Sequence, residues 1–412
     1  MIFATMNSKK LFEIALGDIG PWQVVSIDLE VGESGNKELH IRLDFPAGSA
    51  FLDDFGVPCK AHDTNNHTWR HLNFFEHHCY LHARVPRIKD SSGSVKTVQA
   101  PWARRNTGFT LLFEAFVMNL IELEMPVHSV AHLVGEHDQR IWNIFKHHVQ
   151  KARANTDYTG IQRIGIDETS FRRGHDYVTV GVDLDTARVF DVTEGKDQDS
   201  VAVLTAFLEE NGSSSDEVEQ VSIDMSPAFI SGCNQYLPNA AITFDRFHVT
   251  NVVNKAMDDL RRIERQECSE LKNHKYTLLK NSENLSDKKF EELLELITLY
   301  PKLGEGYRLK ELLREFWNFN DTKMAEKFLK DWCKQADKSG IFPFQKAART
   351  IRAHWSGIIN YAKSKINNGI LEGINSKIQL AKRRARGYRN KDNFINMILF
   401  TCGKLNFKYS PI

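Results

Sequence analysis

Long apolar runs, clustered cysteines and an excess of either charge are all missing from this 412-residue sequence. No stretch approaches the roughly 20 consecutive apolar residues of a membrane-spanning helix, and residues 1–15 lack the basic start and apolar core of a signal peptide. The six cysteines are scattered, as free thiols in a reducing compartment usually are. A net charge of +1 means that any surface for nucleic acid must be local. These absences predict a cytoplasmic protein with no membrane partner.

The first 105 residues are predicted to form a small β module. Apolar residues alternate over 22–31 and again over 37–45, and turn-forming residues separate the two runs. Alternation on both sides of a short turn is the pattern of a β-hairpin.

Two Cys-x-x-His stretches in this module have a spacing that occurs in zinc sites, Cys59-x-x-His62 and Cys79-x-x-His82. However, residues 79–85 alternate like a strand, which would direct Cys79 and His82 to opposite faces. The alternation therefore favours a structural strand over a metal site built from these four residues.

Residues 106–156 are predicted to be helical. Apolar spacing predicts helices over 109–123, 128–134 and 138–154, and the last two join around Gly135. This arrangement fits a helix-turn-helix and equally an ordinary helical hairpin. Three basic residues of the last helix are predicted to bind DNA, namely Arg140, Lys146 and Lys151.

Residues 157–250 alternate between strand and helix patterns. Strands are predicted over 161–167, 176–184, 187–193, 218–224 and 240–245, with helices over 198–210 and 227–236. Three strands in a meander, followed by helix, strand, helix and strand, indicate an α/β domain with a mixed sheet. That order is the one used by the RNase H-like fold. Residues 251–360 are predicted to be all-helical, with no catalytic motif of their own.

Three acidic residues stand out by position. Asp167 and Asp224 each end a predicted strand, and Glu372 lies near the start of a predicted helix. Oxygen ligands that converge from such elements suit Mg²⁺ or Mn²⁺. Two such ions can activate a water or a 3′-hydroxyl and stabilise the leaving oxygen of a phosphodiester. The alternative is that Asp224 only caps a turn or a helix, and Glu168 and Asp245 compete for places in the site.

A dense basic run follows Glu372. Between residues 363 and 391 there are nine basic residues and one acid. The residues of this run that are predicted to bind DNA are Lys377, Lys382, Arg383, Arg384, Arg386 and Arg389. An acidic site beside a basic run is what a phosphodiester enzyme needs, because cations bind the neighbouring backbone phosphates.

Four stretches of the sequence form a set that matches one known family. They are 69–73 with 80–87; Ile164-Gly165-Ile166-Asp167-Glu168; Asp224-Met225-Ser226-Pro227-Ala228-Phe229 with Phe244-Asp245-Arg246-Phe247-His248-Val249; and Leu371-Glu372-Gly373-Ile374-Asn375-Ser376-Lys377-Ile378 with Ala385-Arg386-Gly387-Tyr388. In this order they resemble the bacterial insertion-sequence DDE transposases of the ISL-three family. The set spans nearly the whole chain and is specific, although any one stretch alone would be weak.

The resemblance implies an RNase H-like catalytic domain that a helical insertion splits between its second and third acids. The family's acids carry over onto Asp167, Asp224 and Glu372 as catalytic residues and Mg²⁺ ligands. The partners implied are double-stranded DNA, at transposon ends and at the target, and further copies of the chain, because two ends must be paired. The implied domains are 1–105 (β module), 106–156 (helix-turn-helix), 157–250 (first part of the core), 251–360 (helical insertion) and 361–412 (last part of the core with the basic helix). The implied location is the bacterial nucleoid.

One departure from the family concerns zinc. Its members usually carry a zinc-ribbon-like module with a Cys-Pro-x-Cys-Gly stretch and a later Cys-Pro-x-His-Gly stretch. The corresponding residues here are Leu52-Asp53-Asp54-Phe55-Gly56 and Asp90-Ser91-Ser92-Gly93-Ser94, which lack those ligands. This departure puts a structural zinc ion in doubt and leaves two alternatives. Either the module folds without zinc, or Cys59 and neighbouring histidines replace the missing ligands.

We therefore predict a DNA transposase that uses Mg²⁺ or Mn²⁺, with Asp245 and His248 as a possible secondary site. Two other functions stay open. A DNA-binding regulator that has kept the fold but lost the chemistry would bind DNA without nicking it. A structure-specific RNase H-like nuclease would cut DNA without joining it.

Overall fold

The computed structural model describes residues 8–32, 35, 37–90, 93–172, 174, 176–266, 269–366 and 369–409. Ser91 and Ser92, which the sequence analysis named, lie outside the described residues. The chain divides into two compact units. The first consists of 1–154 with 406–412, and the second of 155–405.

Most of the first unit is a six-stranded mixed sheet. Its elements are α1 (Ser8–Leu16), β1 (Gln23–Val31), β2 (Lys37–Asp44), β3 (Ala50–Leu52), β4 (Pro58–Phe74), β5 (His77–Lys89) and β6 (Val95–Thr97). The strand order is β1-β2-β5-β4-β3, with β6 beside β5. Strands β1 and β2 pair antiparallel, so the predicted hairpin is confirmed.

Three helices complete the first unit: α2 (Leu111–Glu122), α3 (Val127–Val134) and α4 (Asp138–Ala154). All three were expected from apolar spacing. Gly135 ends α3 in the left-handed region at φ 71°. A Cβ on this residue would lie 2.7 Å from Nε2 of His78, so only glycine allows the turn between α3 and α4 to approach strand β5 so closely.

The second unit contains the predicted α/β region. Its elements are β7 (Arg163–Arg172), β8 (Asp176–Asp183), β9 (Arg188–Glu194), α5 (Gln198–Glu210), β10 (Gln220–Ile223), α6 (Pro227–Tyr236) and β11 (Ala241–Phe244). All five strands and both helices are confirmed as elements. They form one mixed sheet in the order β11-β10-β7-β8-β9. Strands β7, β8 and β9 run antiparallel, whereas β10 is parallel to both β7 and β11.

Helices follow from residue 246 onwards. They are α7 (Arg246–Glu264), α8 (Lys275–Leu279), α9 (Asp287–Leu299), α10 (Pro301–Arg314), α11 (Thr322–Lys338), α12 (Phe342–Ala353), α13 (Trp355–Ser364), α14 (Gly369–Arg384) and α15 (Lys391–Cys402). One buried apolar cluster joins the sheet to helices α7 to α13, from Ile164 in β7 through Phe244 in β11 to Trp332 in α11. Of the helices that the structure describes, none is long and apolar enough to cross a membrane.

Candidate active site

Three aspartates lie level with one another where β10 and β11 end. Strand β7 continues beyond Asp167 to Arg172, so the prediction that Asp167 ends its strand is wrong. The register of the parallel pairs, extended to the strand ends, puts Asp167 and Asp245 on either side of Asp224. The backbone N–H of Asp245 donates to the Ile223 carbonyl at 3.0 Å, so the pairing continues to this point. Because side chains at the same level of neighbouring parallel strands point to the same face, the three carboxylates share one edge of the sheet.

Each of these aspartates uses one carboxylate oxygen to hold the local backbone. Oδ1 of Asp167 accepts from the N–H of Glu168 at 2.8 Å. Oδ1 of Asp224 accepts from the backbone N–H of Ser226 at 2.8 Å and so caps the turn into α6. Oδ1 of Asp245 accepts from the backbone N–H of Phe247 at 2.7 Å and so caps α7. The capping role considered for Asp224 is therefore real. It leaves Oδ2 of Asp224 without a hydrogen bond among the described residues.

Negative charge accumulates at this edge. Burial raises the pKa of Asp167, and the neighbouring Asp245 raises it further, against hydrogen bonds from Glu168 and Asn375 that lower it. Burial also raises the pKa of Glu168, and Asp224 and Asp167 add to that rise while Lys196, 3.8 Å away, lowers it. Carboxylates that raise one another's pKa favour a bound cation.

Helix α14 lies directly against β7. A Cβ on Gly165 would meet Leu371 at 2.8 Å and Leu184 at 3.1 Å, so glycine permits this close approach. Three polar side chains of α14 then donate to β7: Asn375 to Oδ2 of Asp167 (2.6 Å), Gln379 to the Thr169 hydroxyl (2.9 Å) and Lys382 to the Ser170 carbonyl (2.6 Å). These contacts fix the position of Glu372, next to Leu371 in the first turn of α14. Glu372 is exposed and lines the same cavity as Asp245.

The basic residues of α14 and the following loop have different environments. Lys377, Arg383, Arg386 and Arg389 have exposed side chains, as does Arg384. Lys382 differs, because it is half-buried and its ammonium bonds to Ser170. Burial lowers the pKa of Lys382. Lys382 therefore helps to hold α14 against β7, and the DNA contact expected of it stays a prediction.

The helix-turn-helix is tied to the β sheet by a buried arginine. The Arg70 guanidinium is almost fully enclosed and donates to the Val134 carbonyl at 3.5 Å, while Glu136 lies 3.7 Å away. Of the predicted DNA contacts on α4, Lys151 is exposed and Lys146 half-buried. Arg140 pairs with Glu136 and lies 4.3 Å from the ring of Phe109, so it also helps to hold the turn.

A second buried charge in this unit was not anticipated. The carboxylate of Glu114 is fully buried in α2 and accepts from Arg104 at 2.8 Å, Thr107 at 2.9 Å and His148 at 3.0 Å. Burial alone would raise its pKa, but the hydrogen bonds from His148 and Arg104 outweigh burial and lower it. The sequence contains no local signal for this contact, because Arg104 and Thr107 lie in an irregular segment before α2 and His148 is 34 residues away.

The four residues considered for zinc do not converge. Strand pairing puts His71 opposite Cys79 and Ala61 opposite Ile88, so Cys59 lies about ten residues, or roughly 30 Å, along the ladder from Cys79. His82 bonds instead to His40 at 2.8 Å. Within the described ranges, no group of three or more His, Cys, Asp or Glu side chains is already arranged to hold a metal ion. This holds for the acids at the sheet edge as well, because their carboxylate oxygens belong to separate strands and helices.

Basic side chains occupy the turns where the family's zinc ligands would lie. Asp53 accepts from the backbone N–H of Phe55 at 2.9 Å and from that of Val57 at 2.8 Å. Lys96 lies 3.0 Å from both Asp54 and Asp90, and thus joins the two turns.

Sheet-edge carboxylates beside a basic helix, with a separate helix-turn-helix, are features of an enzyme that acts on DNA phosphodiesters. Comparison with known families agrees. A family model described as "Transposase" matches residues 164–398, more than half of the chain. Models described as "Helix-turn-helix domain of transposase family ISL3" and "zinc-finger of transposase IS204/IS1001/IS1096/IS1165" match residues 98–149 and 56–89.

Two curated relatives cover most of the chain. The transposase for insertion sequence element IS1001 of Bordetella parapertussis is 26% identical over 403 residues, which is 94% of this chain and 97% of that protein. The transposase for insertion sequence element IS1557 of Mycobacterium tuberculosis (strain CDC 1551 / Oshkosh) is 27% identical over 367 residues, 81% of each chain.

The chain belongs to the ISL3 family of insertion-sequence transposases. It is a DDE transposase, an enzyme that cleaves DNA and transfers strands, and it binds DNA through a helix-turn-helix. Enzymes of this kind use divalent metal ions. The zinc-finger match means that the doubt about structural zinc, drawn from the missing ligands, is not supported.

Proposed function

We propose that Asp167, Asp224 and Glu372 are the three catalytic acids of this transposase and that they hold Mg²⁺ ions. The observation that carries the proposal is the shared sheet edge, at which Asp167 and Asp224 lie level and α14 brings Glu372 alongside. The donor set fits the ion, because carboxylate oxygens are hard ligands and burial, with the nearby Asp245, raises the pKa of Asp167, a rise that a bound cation would oppose. When bound, the ions would activate the attacking oxygen and stabilise the leaving oxygen of a phosphodiester.

The protein's own residues orient this site. Asn375 holds Oδ2 of Asp167, and the backbone N–H of Glu168 holds Oδ1, so the carboxylate cannot rotate freely. Gln379 and Lys382 fix α14 along β7 and thereby the position of Glu372. Water then attacks the phosphodiester at the transposon end and leaves a 3′-hydroxyl. That hydroxyl attacks a target phosphodiester and displaces the target's own 3′ oxygen, so the number of phosphodiester bonds is conserved.

Asp245, which follows β11, and His248, in the first turn of α7, support the site from beside Asp224. Oδ2 of Asp245 lies 3.8 Å from Nε2 of His248, and both residues act electrostatically on Asp167. We assign to this pair a secondary role in adjusting the charge at the sheet edge.

DNA would lie along the basic side of the second unit and along α4 of the first. Exposed cations are suited to backbone phosphates, because such contacts need charge rather than a fixed geometry. The proposed contacts are Lys377, Arg383, Arg384, Arg386 and Arg389, together with Lys146 and Lys151 and, through its exposed edge, Arg140.

The proposed architecture is an RNase H-like core made of 157–250 and 361–412, interrupted by a helical insertion over 251–360. The strand order β11-β10-β7-β8-β9 supports it. The β module (1–105) and the helix-turn-helix (106–156) precede the core. Because two element ends must be joined in one event, we propose that the active form is a homo-oligomer.

The test is cleavage of labelled duplexes that carry the element's own ends, with Mg²⁺. Asp167→Asn, Asp224→Asn and Glu372→Gln should each abolish cleavage while DNA binding persists. Asp199→Asn is the matched control, because Asp199 is an exposed acid in α5. Glu168→Gln should keep more activity than Asp167→Asn. Wild-type activity in Asp167→Asn would refute the assignment.

The same assay separates the remaining alternatives. Joined products in the presence of target DNA identify strand transfer, whereas a nuclease would give only cut ends. Binding without metal-dependent nicking would identify a regulator without chemistry.

A further inference from the structure

Helix α4, the second helix of the helix-turn-helix, has a polar face opposite its buried apolar face. The polar face consists of Gln139, Asn143, Lys146, His147 and Gln150, none of which is buried. Their spacing places them along one stripe of the helix. In a helix-turn-helix, the residues at the start of the second helix are the ones that reach base edges in the major groove. In α4 that position is occupied by two amides, and the first cation of the stripe comes a turn later.

The charged side chains at the start of α4 are matched within the first unit. Arg140 forms an ion pair with Glu136, and its guanidinium lies 4.3 Å from the centre of the Phe109 ring. Oδ2 of Asp138 lies 2.9 Å from Nδ1 of His128, at the start of α3. Because phosphates are bound largely by charge and base edges by hydrogen bonds, neutral amides in this position are suited to reading bases.

The two amides are hydrogen-bonded to each other. The side-chain nitrogen of Gln139 donates to Oδ1 of Asn143 at 3.0 Å, and both side chains are exposed. Within the described ranges, the Gln139 carbonyl oxygen and the Asn143 amide nitrogen have no other partner. If both amides were turned over, one carbonyl oxygen and one amide nitrogen would again be left. In either orientation, the pair therefore offers one acceptor beside one donor.

This combination matches the edge of one base. In the major groove, adenine presents a donor at N6 and an acceptor at N7, whereas guanine presents two acceptors, cytosine one donor and thymine one acceptor with a methyl group. We propose that Gln139 and Asn143 together read one adenine of the element's end: Gln139 accepts from N6 and Asn143 donates to N7. This inference rests on the proposed function, in that it takes α4 as a helix that contacts the element's end.

The test compares two duplexes that carry the element's own end, one natural and one with 7-deazaadenine in place of every adenine. The modified base lacks N7, so the bond from Asn143 cannot form. With Ca²⁺ present, so that binding is measured without cleavage, the wild-type chain should bind the natural duplex at least about fivefold more tightly. Gln139→Ala and Asn143→Ala should each weaken this preference, and the double variant should abolish it. Asn119→Ala is the matched control, because Asn119 is an exposed amide of α2, and it should keep the preference.

The salt dependence of binding separates base reading from phosphate binding. The double variant should keep the wild-type slope of log affinity against log salt concentration, since it loses no charge. Lys151→Ala should show a smaller slope and keep the preference for the natural duplex. Equal wild-type affinity for both duplexes, or a preference that survives in the double variant, would overturn the proposal. Neither result would affect the proposed acids, because their variants are scored by cleavage.

Discussion

Two groups of acids differ in their surroundings: the ion-paired acids of the first unit and the acids at the sheet edge of the second. In the first unit, carboxylates are matched by cations: Glu114 by Arg104, and Asp54 by Lys96. At the sheet edge of the second unit, no ion pair to Asp167 or Asp224 occurs among the described residues, and burial raises the pKa of Asp167. Paired acids lower the energy of the folded chain, whereas acids that are grouped and left without cations are suited to binding metal ions.

The contrast extends to what holds the acids in place. Arg104 holds Glu114 by charge and His148 holds it by a hydrogen bond, and together they connect the segment before α2 to α4. Asp167 is held by neutral groups, the Asn375 amide and a backbone N–H. Neutral donors can orient a carboxylate without cancelling its charge, so the charge stays available to a metal ion.

The largest expected effect is at the sheet edge. Asp167→Asn should lower the rate of DNA cleavage by at least ~100-fold, because a group that acts on the transition state is lost. Its thermal unfolding temperature should be unchanged or higher, since the substitution removes a buried charge without a cation. Cleavage rates and thermal unfolding of the purified chain measure the two effects. A large loss of stability in Asp167→Asn would remove the distinction between the two groups of acids.

Glu114→Gln should show the reverse pattern. Loss of the buried charge should lower the free energy of unfolding of the first unit by about 2 kcal/mol, because hydrogen bonds to charged groups contribute about that much and Arg104 loses its partner. Urea unfolding measures this change. Glu76→Gln is the control, because Glu76 is an exposed acid in the turn between β4 and β5. An equal loss in both variants would contradict the account.

The pH dependence of stability gives Glu114 a second test. Its pKa in the folded chain lies below the ordinary 4.5, so it binds protons less readily folded than unfolded. The stability that it contributes is therefore fully present above pH 4.5 and is lost as the pH falls through the lowered folded-state pKa. Over this acid range, the free energy of unfolding should fall more steeply with decreasing pH in the wild type than in Glu114→Gln. An equal pH dependence of the free energy of unfolding in the two proteins would show that the Glu114 carboxylate is not stabilised by its partners.

Gly165→Ala tests whether packing, rather than charge, fixes the catalytic acids. The new methyl group would lie 2.8 Å from Leu371, so α14 must shift or Leu371 must change rotamer. We expect a loss of about 1 kcal/mol in stability and a lower cleavage rate, because Asn375 and Glu372 move with α14. Gly373→Ala in the same helix is the control, since a Cβ there meets nothing within 4 Å. Unchanged cleavage in Gly165→Ala would mean that the close packing is not needed.

The smallest effect is expected at Lys96. Lys96→Met removes the cation between Asp54 and Asp90 and should lower the melting temperature slightly, because Lys96 and Asp54 are exposed and the buried Asp90 keeps its hydrogen bond from the backbone N–H of Ser94. High salt should reduce the difference between variant and wild type. A variant that no longer folds would show that this contact contributes far more than an exposed ion pair.

The periodicity of apolar residues was enough to predict most helices and strands, but not which elements pack against one another. The five strands of the second unit are short and bounded by turn residues, so their pattern is local and visible in the sequence. Strand β4 was not predicted at its length of 17 residues, because residues 60–68 contain almost no apolar side chains and are held by backbone pairing with β5. Helix α1 was missed as well, since its nine residues bury only Leu16.

The candidate site shows the same limit. Asp167, Asp224 and Glu372 could be named from their places at element ends and from family resemblance. That Asp245 lies level with Asp224 depends on strand order and register, which no local pattern encodes. The hydrogen bond from Lys382 to the Ser170 carbonyl likewise depends on how α14 packs against β7, which the basic run in the sequence does not show.

The most direct measurement of the central claim is a switch of metal preference at Asp224. A thiolate is a softer ligand than a carboxylate, so Asp224→Cys should bind Mg²⁺ poorly and Mn²⁺ better. Cleavage of labelled element ends is measured for the wild type and for Asp224→Cys with each metal in turn. The account predicts that the wild type cleaves with both metals, whereas Asp224→Cys is inactive with Mg²⁺ and recovers activity with Mn²⁺. Wild-type activity of Asp224→Cys with Mg²⁺ would contradict it, because Asp224 would then not be a metal ligand.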